Sequence, residues 1–371
     1  MTIIETQNIR TPTAVALDET LLWLCSILSP IGEEQALCDA VQERLARLPL
    51  ASPMRRYGDS IVVPLVRKRE VARPHVALVG HLDTVRTENG PARIENGRCF
   101  GAGAADMKSG LAVMIVLAET AVQMVGCDLT LVFYAREEGP YADNELGRVL
   151  DEDPELRTLD LAVCLEPSDN KLHLGCCGAI LATVTFEGKT AHSARPWEGD
   201  NAIVKAGPLL SRLAALAPVA HDIDGHVYRT VTTVTLANGG RGRNVVPDVL
   251  TLNLNHRFAP NTSLEQAQAD VLALVGRGPR VDFTDLSPAA MPSASHPLVK
   301  HLIASGVKGV EPKQAWTDVA RFSGMGIPAV NFGPGENAQA HQKNESTECN
   351  LVFQGYRILF TWLTQMPRQS V

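Results

Sequence analysis

The chain has 371 residues, 45% of them hydrophobic and 20% charged, and a formal net charge of −7. This is ordinary globular composition. The mild acidity gives no reason to expect nucleic-acid or membrane-surface binding, and no apolar run is long enough to span a bilayer. The length suggests two domains. Met1 to Asp18 is polar, without a basic segment followed by an apolar core, so no secretory signal is expected. Eight cysteines are scattered singly apart from Cys176-Cys177, and several, such as Cys25 and Cys164, lie in apolar runs. They read as small hydrophobes in a reducing cytoplasm, without disulfides. No Cys-x-x-Cys pair suggests a structural zinc ribbon.

Glu19 to Arg47 has helical periodicity, carried by Leu21, Leu22, Leu24, Cys25 and Leu28, then by Ala36, Leu37, Val41 and Leu45. Ser29-Pro-Ile-Gly splits it into two helices. Val76 to Val79 is a continuous apolar run, as expected of a strand buried on both faces. Met107 to Met124 predicts a long apolar helix, and Leu129 to Tyr134 and Leu161 to Leu165 predict two further buried strands. Strand, helix and strand in alternation argue for an α/β sheet covered on both sides.

The rhythm changes after Gly178. Ile180 to Phe186 reads as a strand, Ala202 to Leu216 as a helix, Thr230 to Leu236 and Val249 to Phe258 as half-exposed strands. Ser263 to Leu274 predicts a second helix and Val281 to Phe283 a last strand. That is a β-α-β-β-α-β unit of ferredoxin-like order, with Pro288, Pro292 and Pro297 at its exit. Ile327 to Phe332 then reads as a strand leading toward His341. Residues 177–286 are therefore expected as a domain inserted into one made of 1–176 and 287–371. No internal repeat, low-complexity segment or heptad pattern interrupts this reading.

The polar residues that stand out are His81, Asp106, Glu137, Glu138, Glu166 and His341. Three of these groups follow short apolar strands, and ligands in open α/β sheets bind at the carboxyl ends of strands. Imidazole and carboxylate together suit a pair of zinc ions, and two metals can hold a shared water and lower its pKa. Asp106, at a glycine-rich strand-to-helix turn, is the natural bridging candidate. Asp83 is two residues after His81, on the same face of an extended strand, where it can fix the His81 tautomer. Glu137 and Glu138 would point to opposite sides of an extended segment, so one can bind metal while the other acts as general base. Each residue alone is weak; their joint occurrence at strand ends, in this order, points to a site. His173, His221, His226, His256, His296 and His301 lack such settings and read as surface or core residues.

Gly80-His-Leu-Asp-Thr-Val, Ala105-Asp-Met-Lys-Ser-Gly, Ala135-Arg-Glu-Glu, Leu165-Glu-Pro and His341-Gln-Lys-Asn-Glu together resemble the dinuclear-zinc aminoacylase/carboxypeptidase metallopeptidase family. Gly188-Lys-Thr-Ala-His-Ser-Ala, Gly199-Asp-Asn-Ala and Asn244-Val-Val-Pro-Asp extend the likeness over nearly the whole chain. The resemblance implies a catalytic domain with helices on both sides of a mixed sheet, and an inserted lid and dimerisation domain. It implies two zinc ions, with cobalt as a possible substitute. Asp106 would bridge them, His81 and Glu166 would complete one, and Glu138 and His341 the other. Glu137 would be the general acid/base and Asp83 the partner of His81. His192 would reach across a homodimer as an oxyanion donor, and Asn244, Arg257, Thr317 and Arg321 would meet substrate carboxylates or the acyl group. A cis peptide between Asp106 and Met107 is also implied.

The implied reaction is metal-dependent hydrolysis of an amide bond in a small N-acyl amino acid. Trp316-Thr-Asp-Val-Ala-Arg-Phe-Ser, Gly326-Ile-Pro-Ala-Val-Asn-Phe-Gly-Pro-Gly, Leu131-Val-Phe-Tyr and His192-Ser-Ala-Arg-Pro-Trp resemble the desuccinylase branch of actinobacterial type. Gly175-Cys-Cys-Gly departs from the arginine-rich turn of proteobacterial members, and Trp316-Thr-Asp-Val-Ala-Arg from their Gly-Thr-Ser-Asp-Ala-Arg. That leaves Arg195, Arg241, Arg243, Arg257 and Arg321 as candidate carboxylate anchors. The alternatives are an acetyl-group deacylase, a dipeptidase, or a non-catalytic scaffold. A scaffold should have lost a ligand or the general base, and all are intact here.

Overall fold

The computed structural model describes residues 11–67 and 73–366; the first ten residues of the Met1–Asp18 stretch read for a leader lie outside them. The chain divides into two compact units. The first comprises the chain up to His173, Ser293–Glu311 and the chain from Met325, and the second Leu174–Pro292 with Pro312–Gly324. The second unit extends a few residues past 177–286 at both ends and also takes in Pro312–Gly324, which carries Thr317.

The first unit is built on a mixed sheet. Across it run Arg55–Tyr57, Ser60–Val66, Asp128–Tyr134, His75–His81, Leu161–Cys164 and Ala329–Asn331. The last four are mutually parallel, and Ser60–Val66 is antiparallel to its neighbour. Every residue of His75–His81 and of Leu161–Cys164 is buried. Side chains alternate between faces along a strand, so both faces of the sheet are covered, as the unbroken apolar runs predict. Pro12–Ser26, Lys108–Thr120 and Cys349–Thr364 pack on one another, while Gln35–Leu45 and Glu145–Glu152 pack on Ser60–Val66. The first helix begins earlier than its apolar periodicity, because Thr11 caps Ala14 N–H at 3.3 Å and Pro12 opens the first turn. Lys108–Thr120 is shorter than Met107–Met124, yet Lys108 to Ala118 are all buried.

The second unit holds an antiparallel five-stranded sheet ordered Val219–Ile223, His226–Gly239, Val249–Phe258, Gly178–Glu187 and Arg280–Ser287. Leu250, Leu252 and Leu254 alternate along one strand and Ile180, Ala182, Val184 and Phe186 along the next. They pack with Ala202, Ala206, Leu209 and the helical series Ala267, Val271, Val275 into one core. The expected Ala202–Leu216 helix is broken into Ala202–Lys205 and Gly207–Ala215. Pro208 lacks an N–H and its ring crowds the carbonyl one turn back, which interrupts the helix. Val219–Ile223 was not expected; it forms a hairpin with His226–Gly239 through Asp224-Gly225, both at positive φ.

All eight cysteines are free and buried. Among the described residues no helix is long and apolar enough to cross a membrane.

Candidate active site

Three neighbouring parallel strands end along one edge of the first unit's sheet. His81 closes the middle strand, Glu137 and Glu138 sit in the turn after Asp128–Tyr134, and Glu166 follows Leu161–Cys164. Asp106 is on the turn that opens the Lys108–Thr120 helix, and its peptide bond to Met107 is cis, as the resemblance implies.

The Asp106 carboxylate faces two imidazoles. Oδ1 lies 3.3 Å from His81 Nε2 and Oδ2 3.5 Å from His341 Nε2. His341 Nε2 is also 3.0 Å from Glu138 Oε1. Ligand atoms of His81, Asp106 and Glu138 all lie within 4.8 Å of one another. His341 adopts a left-handed backbone with φ of 63°, and Arg136, just before the glutamates, one of 65°. Such conformations are uncommon for non-glycine residues and concentrate at functional sites.

Asp83 does more than the sequence suggests. His81 Nδ1 is 3.0 Å from the Asp83 main-chain carbonyl and 3.6 Å from its carboxylate. The carbonyl is therefore the nearer acceptor for the ring N–H. The carboxylate accepts the main-chain N–H groups of Glu137 at 3.0 Å and Glu138 at 2.9 Å. The glutamates lie in a turn, not the extended segment expected, and Asp83 holds that turn against the His81 strand.

The cluster sets several carboxylates around two imidazoles. Burial disfavours a charged His81, yet Asp106, with Asp83, Glu166 and Glu137 around it, raises its pKa well above the ordinary value. The Glu138 hydrogen bond, working against burial, lifts His341 to about 9. Burial pushes Glu138 upward. Divalent metal neutralises such a carboxylate excess through the donor atoms present here, imidazole nitrogen and carboxylate oxygen, which zinc accepts readily. The residues fit a metal.

Sequence reasoning missed Glu345. It is 2% exposed, and its carboxylate accepts three N–H groups of the Asp106 loop: Ala105 and Asp106 on Oε1 at 2.8 Å each, Gly103 on Oε2 at 3.0 Å. Burial lifts its pKa to about 7. The only signal was its place at the end of His341-Gln-Lys-Asn-Glu.

The remaining candidates belong to the second unit. His192 is exposed and its Nδ1 accepts Ala194 N–H at 3.1 Å, which leaves Nε2 to carry the proton. Asn244 is its neighbour, with its carbonyl accepting Ser193 N–H at 2.9 Å. Thr317 is buried, and its side chain lies against Cys176. Three of the five candidate arginines are committed to carboxylates: Arg195 to Glu198, Arg241 to Asp248 and buried Arg321 to Asp318. Arg243 is exposed. Arg257 lies on the sheet face opposite the Leu250–Leu254 core residues, half-buried, donating from Nε to Asn255 Oδ1 at 2.9 Å. Burial lowers its pKa.

A cluster of imidazoles and carboxylates at the carboxyl edge of parallel strands, suited to metal, defines the class as a metal-dependent hydrolase. Residues 77–365 match peptidase family M20/M25/M40, and the chain belongs to that family. It is 40% identical over 324 residues to the protein DapE of Mycobacterium tuberculosis strain H37Rv, covering 87% of this chain and 90% of the relative. It is 37% identical over 351 residues to the succinyl-diaminopimelate desuccinylase of Corynebacterium glutamicum, covering 92% of this chain and 94% of that enzyme. Among solved structures, aminopeptidase PepT from Bacillus cereus superposes with a TM-score of 0.75 at 19% identity, covering 95% of this chain and 98% of that one. An M20 family metallo-carboxypeptidase from Sulfolobus solfataricus gives 0.75 at 15% identity, covering 96% and 99%. The two structures share the fold.

Proposed function

We propose that this hydrolase cleaves the amide bond of N-succinyl-L,L-2,6-diaminopimelate, giving succinate and L,L-diaminopimelate in the cytoplasm. The observation that carries the substrate is the 37% identity to the Corynebacterium glutamicum desuccinylase over 92% of the chain. His81, Asp106, Glu138, Glu166 and His341 would hold two zinc ions, Asp106 bridging them. When bound, the metals supply Lewis-acid polarisation of water and of the substrate carbonyl.

Glu137 takes the proton from the attacking water. The water oxygen bonds to the acyl carbon, the C–N bond breaks, and Glu137 returns the proton to the departing amine. Asp83 keeps Glu137 in place through its main-chain N–H. His192 Nε2–H, supplied by the inserted domain of a second subunit, donates to the carbonyl oxygen as negative charge develops there. The Thr317 hydroxyl, Asn244 and Arg257 receive substrate carboxylates. Arg257 suits this best, since the Arg195, Arg241 and Arg321 guanidinium groups already meet acidic partners.

The test is turnover by zinc-loaded protein of the succinylated substrate, its acetylated counterpart and a set of dipeptides. The succinylated compound is expected to have the higher kcat/KM by roughly tenfold or more, about 1.4 kcal/mol of transition-state discrimination. Preference for an acetyl group or a dipeptide overturns the substrate assignment.

A further inference from the structure

The Asp106 turn is braced by the Ala104 N–H on the Gly101 carbonyl at 3.1 Å and the Lys108 N–H on the Gly103 carbonyl at 2.7 Å. It runs from Gly101 to Asp106 between the strand Arg98–Phe100 and the helix Lys108–Thr120. Two of its residues are glycines, and at Gly103, with φ of 76°, a Cβ would sit 2.6 Å from Thr84 Cγ2. A loop this tight presents main-chain N–H groups inward, and Glu345 answers them. Its side chain accepts from Gly103, Ala105 and Asp106. Its main-chain carbonyl accepts Gly101 N–H at 3.0 Å, and its own N–H donates to Asn89 Oδ1 at 2.8 Å. The next residue, Ser346, begins a strand paired with Arg98–Phe100. One buried carboxylate thus closes the loop and joins it to the segment that carries His341, four residues earlier.

We infer that Glu345 is a positioning residue for the metal centre, fixing the main chain at Asp106 so that its two carboxylate oxygens face His81 and His341 at once. The inference rests on the proposed reading of Asp106 as a metal ligand. Concave sets of main-chain N–H groups are anion sites. Here the anion is the protein's own, and three charge-assisted hydrogen bonds make the bracket stiff. Glu345 holds the loop and reacts with nothing.

Glu345→Gln keeps the length and volume of the side chain but replaces one acceptor with an NH₂ group facing main-chain N–H donors. Zinc affinity is expected to fall about 10–100-fold, the usual effect of losing an outer partner of a metal ligand. It is read by competition with a chromophoric chelator. The visible spectrum of the cobalt-substituted protein is expected to shift, and kcat to fall with KM little changed. A folded Glu345→Gln protein with wild-type zinc affinity and cobalt spectrum overturns the inference. Asp106→Asn, measured alongside, separates the two readings. If it binds zinc as tightly as wild type, the ligand assignment itself fails; if it loses zinc while Glu345→Gln does not, only the positioning role fails. Should Glu345→Gln not fold, Asn89→Ala removes the bond to the Glu345 main chain. It is expected to weaken zinc binding in the same direction, and unchanged affinity there overturns the inference equally.

Discussion

Adjacent residues Glu137 and Glu138 have different neighbours, and their proposed chemistry divides accordingly. Glu138 meets His341 at 3.0 Å and shares a tight group with Asp106 and His81. Glu137 is one of the carboxylates whose charge acts on His81. Glu137→Gln keeps shape and hydrogen-bonding reach but cannot accept a proton. Its kcat is expected to fall by about two to four decades, the size of a general-base contribution, with bound zinc unchanged by elemental analysis. Retained kcat would falsify the role. Glu166→Ala is expected to lose zinc and activity together, because removing a ligand removes both charge compensation and geometry. The candidate ligands other than His341 stood out in the sequence because each lies just after a strand or in a glycine-rich turn. The Asp83 and Glu345 contacts were not legible, since both are made to main-chain N–H groups of other segments. Spacing along one strand cannot reveal which distant amides a carboxylate meets.

The four parallel strands of the first unit read directly from sequence because a sheet buried on both faces demands unbroken apolar runs. Ser60–Val66 escaped because Pro64 interrupts it. The structure accommodates the proline where Arg55–Tyr57 stops pairing at Val62, and the register with Asp128–Tyr134 slips between Pro64 and Val66. Val219–Ile223 escaped because only Ile223 of its five residues is buried, so no apolar alternation marks it. Strand burial also has a pH consequence. His75 opens the strand His75–His81, 4% exposed, with Nδ1 2.9 Å from Thr158 Oγ1 and Nε2 2.8 Å from Thr130 Oγ1. Burial, then the nearby Arg67 charge, lowers its pKa against the opposing pull of Asp128 and Asp160. The folded state therefore holds His75 neutral. As pH falls through about 6.5 the unfolded chain gains a proton that the folded chain refuses, so stability is lost on the acid side. Urea midpoints of zinc-loaded wild type and His75→Gln, measured from pH 7.5 down to 5.5, test this. The wild type is expected to lose more stability over that window than the variant. Parallel curves would show that His75 contributes nothing to the acid sensitivity.

Across the molecule, the proposed functional residues divide between the two units. Every proposed metal ligand, with Glu137, is in the first, while His192, Asn244, Arg257 and Thr317 are in the second. His192 is exposed, and with Nδ1 occupied by Ala194 N–H it offers a protonated Nε2 outward. Such a donor can serve a developing oxyanion, and losing one costs about 10²–10³ in kcat. The proposed dimer makes a distinct prediction for mixed subunits. His192→Ala and Glu137→Gln proteins are each expected to be nearly inactive. Mixed under conditions that allow exchange, they form dimers in which one site combines the intact Glu137 of one chain with the intact His192 of the other. If subunits reassort at random in a two-fold dimer, about a quarter of all sites regain both groups. Activity should rise toward that fraction of wild type, on the timescale of subunit exchange seen by light scattering or native mass spectrometry. If His192 instead serves its own chain, every site in every combination lacks one group, and the mixture stays as inactive as its components.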